Sequence, residues 1–199
     1  MSYSKFTLEE LKKDFNLTLA ESVGQFNNLP QLAPSQILQD LLKYYVPLGL
    51  AIGSEKAKSE FIIAPILAEI KQRATNKISL FSGVEFNVDL ERGLNGFCDF
   101  ILSRSPEQLL IETPVVTLVE AKNDNLKSGL AQCIAEMVGA QIFNRREGNE
   151  IPIIYGAVTN GTNWQFLALE SQTVAIDLDE YSIKNLPQVL GILTSFVTP

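Results

Sequence analysis

Apolar side chains in the first third of the chain recur with the period of an amphipathic helix. This periodicity predicts helices over residues 6–24, 35–50 and 54–73. Thr7 followed by Glu10 has the spacing of a capping box, which marks a helix start. Ser54 is the expected cap of the third helix. Pro65 should kink or split that helix, because proline has no N–H to donate.

Beyond residue 77 the pattern changes to short, nearly continuous apolar runs, which are typical of strands. The predicted strands are 78–81, 84–90, 97–103, 115–121, 153–159, 164–169 and 173–178, and the predicted helices among them are 130–146 and 183–197. This order predicts an α/β protein, or a closely related α+β sandwich, in which helices flank a mixed β-sheet. We expect a core over residues 54–199 and an N-terminal helical extension, residues 1–53, packed on it.

The composition is that of a globular protein, with 46% hydrophobic and 20% charged residues, and no apolar run is long enough to predict a membrane-spanning helix. Cys98 and Cys133 both lie in apolar surroundings, so we expect reduced core residues and a cytoplasmic location. The chain contains no histidine. This excludes Ser-His-Asp and Cys-His catalysis as well as every metal site that uses histidine ligands.

The net charge of −7 argues against strong non-specific binding to nucleic acid. The charges are unevenly distributed, however: residues 54–146 hold eleven Lys and Arg against twelve Asp and Glu, whereas residues 147–199 hold one Lys against six acids. A contact with nucleic acid would therefore be local and weak.

Two carboxylates interrupt the apolar runs of neighbouring predicted strands. Asp99 and Glu120 are equidistant from the midpoint between Leu109 and Leu110, so a symmetric hairpin would place them opposite each other. Opposed residues have Cβ atoms about 4.5–5.5 Å apart, and two carboxylates at that distance repel unless a proton or a cation lies between them. Mg²⁺, or Mn²⁺, is the natural partner because it prefers oxygen ligands.

Lys122 follows Glu120 by two residues and should project from the same face of the strand. There it would either stabilise negative charge that develops in a transition state or help to orient an attacking water. The alternative is a structural salt-bridge cluster of Asp99, Glu120 and Lys122 at the edge of the sheet.

These residues resemble the core motif of the PD-(D/E)xK nuclease superfamily. The motif here is Asp99, a gap of twenty residues, and then Glu120-Ala121-Lys122, with Cys98 at the place where many members have proline. The predicted order of elements from residue 54 to about 169 also resembles the family core of helix, three-strand meander, helix and strand. The resemblance implies a restriction-endonuclease-like fold. The segment 155–166 is similar to a late hairpin in nuclease domains of type I restriction subunits.

The resemblance also implies roles for individual residues. Asp99 and Glu120 would be metal ligands, with the Ala121 carbonyl as a possible third, and Lys122 would be the catalytic lysine. Glu60 occupies the place of an additional helix glutamate in many members. Gln132 occupies the place of a glutamine that some members use; in certain subgroups a tyrosine follows it four residues later, where this chain has Glu136. The alternative for Glu60, an ordinary solvated helix charge, has equal weight, and for Gln132 the interpretation as an ordinary exposed helix residue is preferred.

Three functions compete at this point. The first is a metal-dependent nuclease that uses Mg²⁺ or Mn²⁺ and acts on DNA rather than RNA. The second is a catalytically inactive protein on the same fold that binds a partner or serves as a scaffold. The third is a small-molecule enzyme with Lys122 as an amine nucleophile, although the chain has no glycine-rich phosphate loop. The apolar helix faces of residues 1–53 need a partner surface, which is the core, a second copy of the chain or another protein.

Overall fold

The computed structural model of the protein describes residues 2–75 and 77–198. It contains an eight-stranded sheet. The strands are β1 Thr18–Ser22, β2 Ser79–Glu85, β3 Phe97–Ser103, β4 Val115–Ala121, β5 Ile153–Thr159, β6 Asn163–Glu170, β7 Thr173–Asp177 and β8 Tyr181–Ser182. The α-helices are α1 Leu8–Asp14, α2 Gln36–Ile52, α3 Glu55–Lys58, α4 Ala64–Arg73, α5 Leu130–Arg146 and α6 Leu186–Val197.

The sheet is mixed, as the sequence predicts. Its strand order is β1-β7-β6-β5-β4-β3-β2, and the short β8 pairs with β6. Strands β2, β3 and β4 form an antiparallel meander, after which α5 crosses over so that β5 pairs parallel with β4. The order helix, meander, helix, strand is therefore present between residues 55 and 159.

Helices cover both faces of the sheet. One apolar core includes Leu11 of α1 and Ile134 of α5 together with Leu118 of β4. The other core includes Leu38 of α2, Ile66 of α4 and Leu190 of α6 among its buried residues. The α/β class with a flanked mixed sheet is thus confirmed. The division of the chain at residue 53 stays a prediction.

The helix predicted over residues 6–24 is wrong in its second half. The capping box of Thr7 and Glu10 is present, but α1 ends at Asp14, and Asn16 then adopts a left-handed backbone with φ of 52°. The chain continues as β1, which pairs parallel with β7 at the edge of the sheet. Since four of the five β1 residues are exposed, this strand depends on its backbone ladder and carries no apolar signature. The N-terminal extension is therefore not purely helical.

The two strands predicted at 78–81 and 84–90 are one strand, β2. Within this strand Gly83 has a φ of 62°, a value that a residue with a side chain rarely adopts. Because glycine tolerates this backbone, the strand continues through the position where the sequence predicts a break. Backbone hydrogen bonds run on from Phe86 to Gly96 and from Val88 to Leu94, but the regular strand ends at Glu85.

The third predicted helix is split, as Pro65 suggests. Its parts are α3, a π-helical turn over Ser59–Ile63, and α4. Pro65 lies in the first turn of α4, and without an N–H it cannot make the α-helical bond to the Phe61 carbonyl. The wide turn places Glu60 between the two helices.

Among the described residues, no helix is both long and apolar enough to cross a membrane.

Candidate active site

From Phe100 to Leu102 the β3–β4 ladder has the register that the symmetric spacing predicts, and this part of the ladder ends beside the two carboxylates; at Ser103 the register shifts by one residue. Phe100 pairs with Val119, and the next step of the same register would pair Asp99 with Glu120. There the side chain of Asp99 intervenes, since its Oδ2 accepts a hydrogen bond of 2.7 Å from the backbone N–H of Ala121. Asp99 is therefore fixed against the end of β4.

Glu120 and Lys122 form a largely buried ion pair. Lys122 Nζ bonds to Glu120 Oε1, and the two side chains are only 18% and 2% exposed. The backbone N–H of Lys122 donates to the Thr159 carbonyl of β5 at 2.8 Å, which fixes the lysine at the end of the parallel strand pair. The sequence prediction that Lys122 lies beside Glu120 is confirmed.

The start of α5 leaves room for the lysine chain. A Cβ atom on Gly129 would lie 3.0 Å from Lys122 Cγ and 2.6 Å from Val158 Cγ1. Glycine at this position therefore allows the Lys122 stem to pass closely beneath the helix.

Helix α5 adds two side chains to this pair. Gln132 Oε1 accepts a hydrogen bond of 3.4 Å from Lys122 Nζ, and Gln132 Nε2 donates to Glu136 Oε1 at 3.2 Å. The structure thus brings Gln132 to the lysine, while sequence reasoning assigned no role to Glu136. The available signal was the same as for Glu120, namely a carboxylate in an otherwise apolar stretch, here next to Ala135 and Met137.

Burial and then the nearby charge of Asp99 raise the pKa of Glu120 to about 8, although Lys122 acts to lower it. The pKa of Glu136 is raised well above its usual range, first by burial and then by Glu120. Among the described residues, neither Glu120 Oε2 nor Glu136 Oε2 has a hydrogen-bond donor, and the two carboxyl groups lie within bonding reach of each other. A single shared proton would satisfy both oxygens.

The pKa of Lys122 is raised, although burial alone would lower it, because the Glu120 carboxylate stabilises the ammonium form. Lys122 is therefore a cation at neutral pH. This is the opposite of what an amine nucleophile requires.

Asp99 and Ala121 also line an open pocket of about 240 Å³. Its other lining residues are Glu55, Lys56, Ser59, Glu60, Ser82 and Gly83. Glu60 is about half exposed and pairs with Lys56 at 2.9 Å. The structure thus places Glu60 in the same pocket as Asp99, but its bonded partner is a surface lysine.

The oxygen atoms at this site suit a hard divalent cation. Asp99 and Glu120 repel each other, Glu120 Oε2 lacks a donor within the described part of the chain, and Mg²⁺ commonly takes one or two carboxylates and keeps several waters. Over residues 2–75 and 77–198, no three or more His, Cys, Asp and Glu side chains form a group that could hold a metal.

Sequence reasoning also missed Lys58, a buried lysine of α3. Its Nζ donates to the Asn123 carbonyl at 2.5 Å and to Asn123 Oδ1 at 3.0 Å, and it lies 3.4 Å from Asp124 Oδ1. Lys58 thereby ties the segment that follows Lys122 to the helix beside the pocket. A lysine in a short polar helix start gives no sequence signal for such a contact.

No protein-family model and no curated protein sequence matches this chain.

Proposed function

We propose that this protein is a metal-dependent nuclease that hydrolyses phosphodiester bonds, in DNA rather than RNA. The observation that carries the proposal is the buried Glu120–Lys122 ion pair next to Asp99, which itself lines an open pocket. A buried ion pair is weak evidence for stability, because apolar residues of similar volume often serve the fold equally well. Strongly shifted pKa values next to a pocket are typical of functional sites. The resemblance to the PD-(D/E)xK superfamily supports the same chemistry.

In this proposal the carboxylates of Asp99 and Glu120 and the carbonyl of Ala121 would hold Mg²⁺ or Mn²⁺. When bound, such an ion supplies a Lewis acid for a phosphoryl oxygen and lowers the pKa of a coordinated water. Glu120 binds a cation only as a carboxylate. Because burial and Asp99 raise the pKa of Glu120 to about 8, this side chain would release a proton when the ion binds near neutral pH.

Lys122 would act as a fixed positive charge next to the reacting phosphate. Glu120 and Gln132 hold its ammonium group in place, and its raised pKa keeps it protonated. A cation that is positioned before the reaction stabilises the negative charge that develops on the phosphoryl oxygens. Glu60 and Glu55 line the pocket and would bind outer-sphere water at its rim.

The charge of the chain limits how the substrate would bind. The net charge is −7, and the basic pair Arg145 and Arg146 at the far end of α5 is engaged with Glu150 and Asp89. Contacts with the phosphate backbone would therefore be few, and binding would be weak and dependent on salt.

A cleavage assay tests the proposal. Single- and double-stranded DNA and RNA are incubated with Mg²⁺, with Mn²⁺ or with EDTA, and the products are resolved by length. We expect metal-dependent cleavage of DNA that falls by roughly 100-fold or more in Asp99→Asn, Glu120→Gln and Lys122→Met. Glu150→Gln, an exposed glutamate at the far end of α5, should keep full activity. Pure protein that cleaves none of the substrates, or variants that retain the activity, would contradict the proposal.

The second candidate is an inactive nuclease-fold protein that binds a partner. The favouring observation is that Glu120 is 1% exposed and already paired with Lys122, as expected for a structural ion pair. In that case the wild-type protein ignores divalent metals, and Glu120→Gln changes stability without changing any metal response.

A further inference from the structure

Helix α2 exposes a continuous row of large apolar side chains, which we call the α2 stripe. It consists of Ile37, Leu41, Tyr44, Leu48 and Ile52, whose exposures range from 37% to 73%. The spacings of four, three, four and four residues place all five on one face of the helix.

The α2 stripe is separate from the face that α2 uses inside its own chain. Leu38, Leu42 and Gly49 are the buried residues of the helix, and Leu38 and Leu42 belong to the core under the sheet. The helix is therefore apolar on two adjacent faces, of which the described fold covers one. An exposed row of this kind marks an interaction surface.

The geometry of the row fits a second copy of itself. Tyr44, Leu48 and Ile52 form one ridge with a four-residue spacing, and Ile37 and Leu41 begin the neighbouring ridge. Ridges of this spacing on two helices interdigitate at an angle of about 50°, which is the commonest class of helix packing. A two-fold axis makes such a surface complementary to itself.

Charge also favours a second copy over nucleic acid. Asp40, at the edge of the stripe, and Lys43, further round the helix, are the charged residues of α2, so neither charge lies within the apolar surface that two copies would bury. The chain as a whole carries −7, so most other surfaces would repel a second copy. Lys43 lies about 140° round the helix from the middle of the stripe, so no basic residue of α2 lies along the stripe to contact a phosphate backbone.

The available area reaches the lower limit for a specific dimer. With roughly 200 Å² for a fully exposed large side chain, the five residues leave on the order of 500 Å² uncovered on each copy. Two copies would bury about 1,000 Å² before flanking residues are added, which is typical of weak specific interfaces. A dissociation constant in the micromolar range is expected.

We propose that the α2 stripe is the interface of a two-fold symmetric homodimer. The inference does not depend on nuclease activity. Sedimentation measurements on the full chain, from about 1 to about 200 µM, test it, because dimerisation follows mass action. The mass should rise from the 22.0 kDa of one chain towards twice that value.

Two variants on α2 make the test specific. Tyr44→Glu places a charge in the middle of the stripe and should weaken dimerisation by about 100-fold or more. Leu50→Glu is the matched control, since Leu50 is 47% exposed on the same helix but lies off the stripe; it should dimerise like the wild type. Circular dichroism of each variant verifies that it is folded.

Cross-linking gives a second measurement. Cys98 and Cys133 are buried, so Tyr44→Cys introduces an accessible thiol, and a short bis-maleimide should join two copies through it. A wild-type protein that stays monomeric at the highest concentration would overturn the proposal. So would equal effects of Tyr44→Glu and Leu50→Glu, or a monomer whose stripe binds only nucleic acid or another protein.

Discussion

Asp99 Oδ2 accepts a hydrogen bond of 2.7 Å from the Ala121 N–H at the point where the β3–β4 ladder ends. The Asp99 carboxylate therefore does two things: it accepts a backbone hydrogen bond, and its negative charge raises the pKa of Glu120. Replacement by alanine would disturb both. Asp99→Asn keeps a hydrogen-bond acceptor for Ala121 and removes the charge, so it isolates the electrostatic role.

The glutamate pair predicts that the metal-free protein becomes less stable as pH rises. Burial and then Asp99 raise the pKa of Glu120 to about 8, so the native state holds a proton that the unfolded state has already released. The stabilisation is complete below the ordinary carboxyl pKa of about 4.3 and is lost as pH rises through the folded value. Urea unfolding in EDTA should show a decrease on the order of 1–3 kcal/mol between about pH 6 and pH 9.

Glu136→Gln supplies the comparison for this prediction. Without the second carboxyl group, the folded state loses the proton that Glu136 holds, so the pH dependence should become shallower. Wild-type stability that is flat or rises over the same interval would show that the two glutamates do not share a proton.

Gly129→Ala should displace Lys122. The added Cβ would lie 2.6 Å from Val158 Cγ1 and 3.0 Å from Lys122 Cγ, so one of these side chains has to move. We expect a loss of about 1–3 kcal/mol in the free energy of unfolding, together with reduced cleavage activity. Lys127→Ala, an exposed change two residues earlier, is the control. If Gly129→Ala matches the wild type in both measurements, the close approach of Lys122 to α5 is needed neither for stability nor for activity.

Lys58→Met should loosen the segment that follows Lys122. Methionine keeps an apolar stem but removes the hydrogen bonds to Asn123, at a cost of about 1–3 kcal/mol. Hydrogen exchange at residues 123–125 should accelerate. Lys56→Met on the same helix is the control, because its 82% exposed ion pair with Glu60 contributes at most about 1 kcal/mol. Equal exchange rates in the two variants would show that the hydrogen bonds of Lys58 to Asn123 do not hold this segment in place.

Glu69 links α4 to the start of α2 and should matter for stability. It accepts bonds from the Ser35 N–H at 2.9 Å and the Ser35 hydroxyl at 2.7 Å, and it pairs with Arg73. Burial alone would raise its pKa, but the bonds from Ser35 and Arg73 outweigh burial and lower it. Its stabilisation is therefore present above the ordinary carboxyl pKa and is lost as pH falls through the lowered folded value.

Glu69→Gln should cost about 1.5–3 kcal/mol near neutral pH, measured by urea unfolding, because hydrogen bonds to a charged group are lost. The difference from the wild type should shrink as the pH falls through the lowered folded pKa of Glu69, below which the carboxyl group is protonated in both states. Glu147→Gln, an exposed glutamate whose side chain makes no bond within the described residues, should unfold like the wild type. A pH-independent difference would contradict the ionic contribution.

The strands that carry the site could be predicted because their residues are nearly all apolar. Every residue of β4 is buried, so its apolar run was unambiguous. The equal spacing of Asp99 and Glu120 about a midpoint also gave the correct register for the end of the ladder next to them, although the register shifts by one residue at Ser103, near the connecting loop.

The remaining features depend on tertiary contacts that leave no local pattern. Strand β1 is mostly exposed and exists because β7 offers it a partner. Glu136 becomes a partner of Gln132 and Glu120 only when α5 packs on the end of β4. The hydrogen bonds of Lys58 to Asn123 join residues that are 65 positions apart.

Titration calorimetry with Mn²⁺ at about pH 7 tests the central claim, a metal site between Asp99 and Glu120, most directly. The wild-type protein should bind one Mn²⁺ per chain. It should release a proton on binding, because Glu120 has to ionise to become a ligand. Asp99→Asn and Glu120→Gln should abolish the binding, and Glu147→Gln should leave it unchanged. A wild-type protein that binds no Mn²⁺ at about 10 mM, or binding that survives both substitutions, would contradict the assignment.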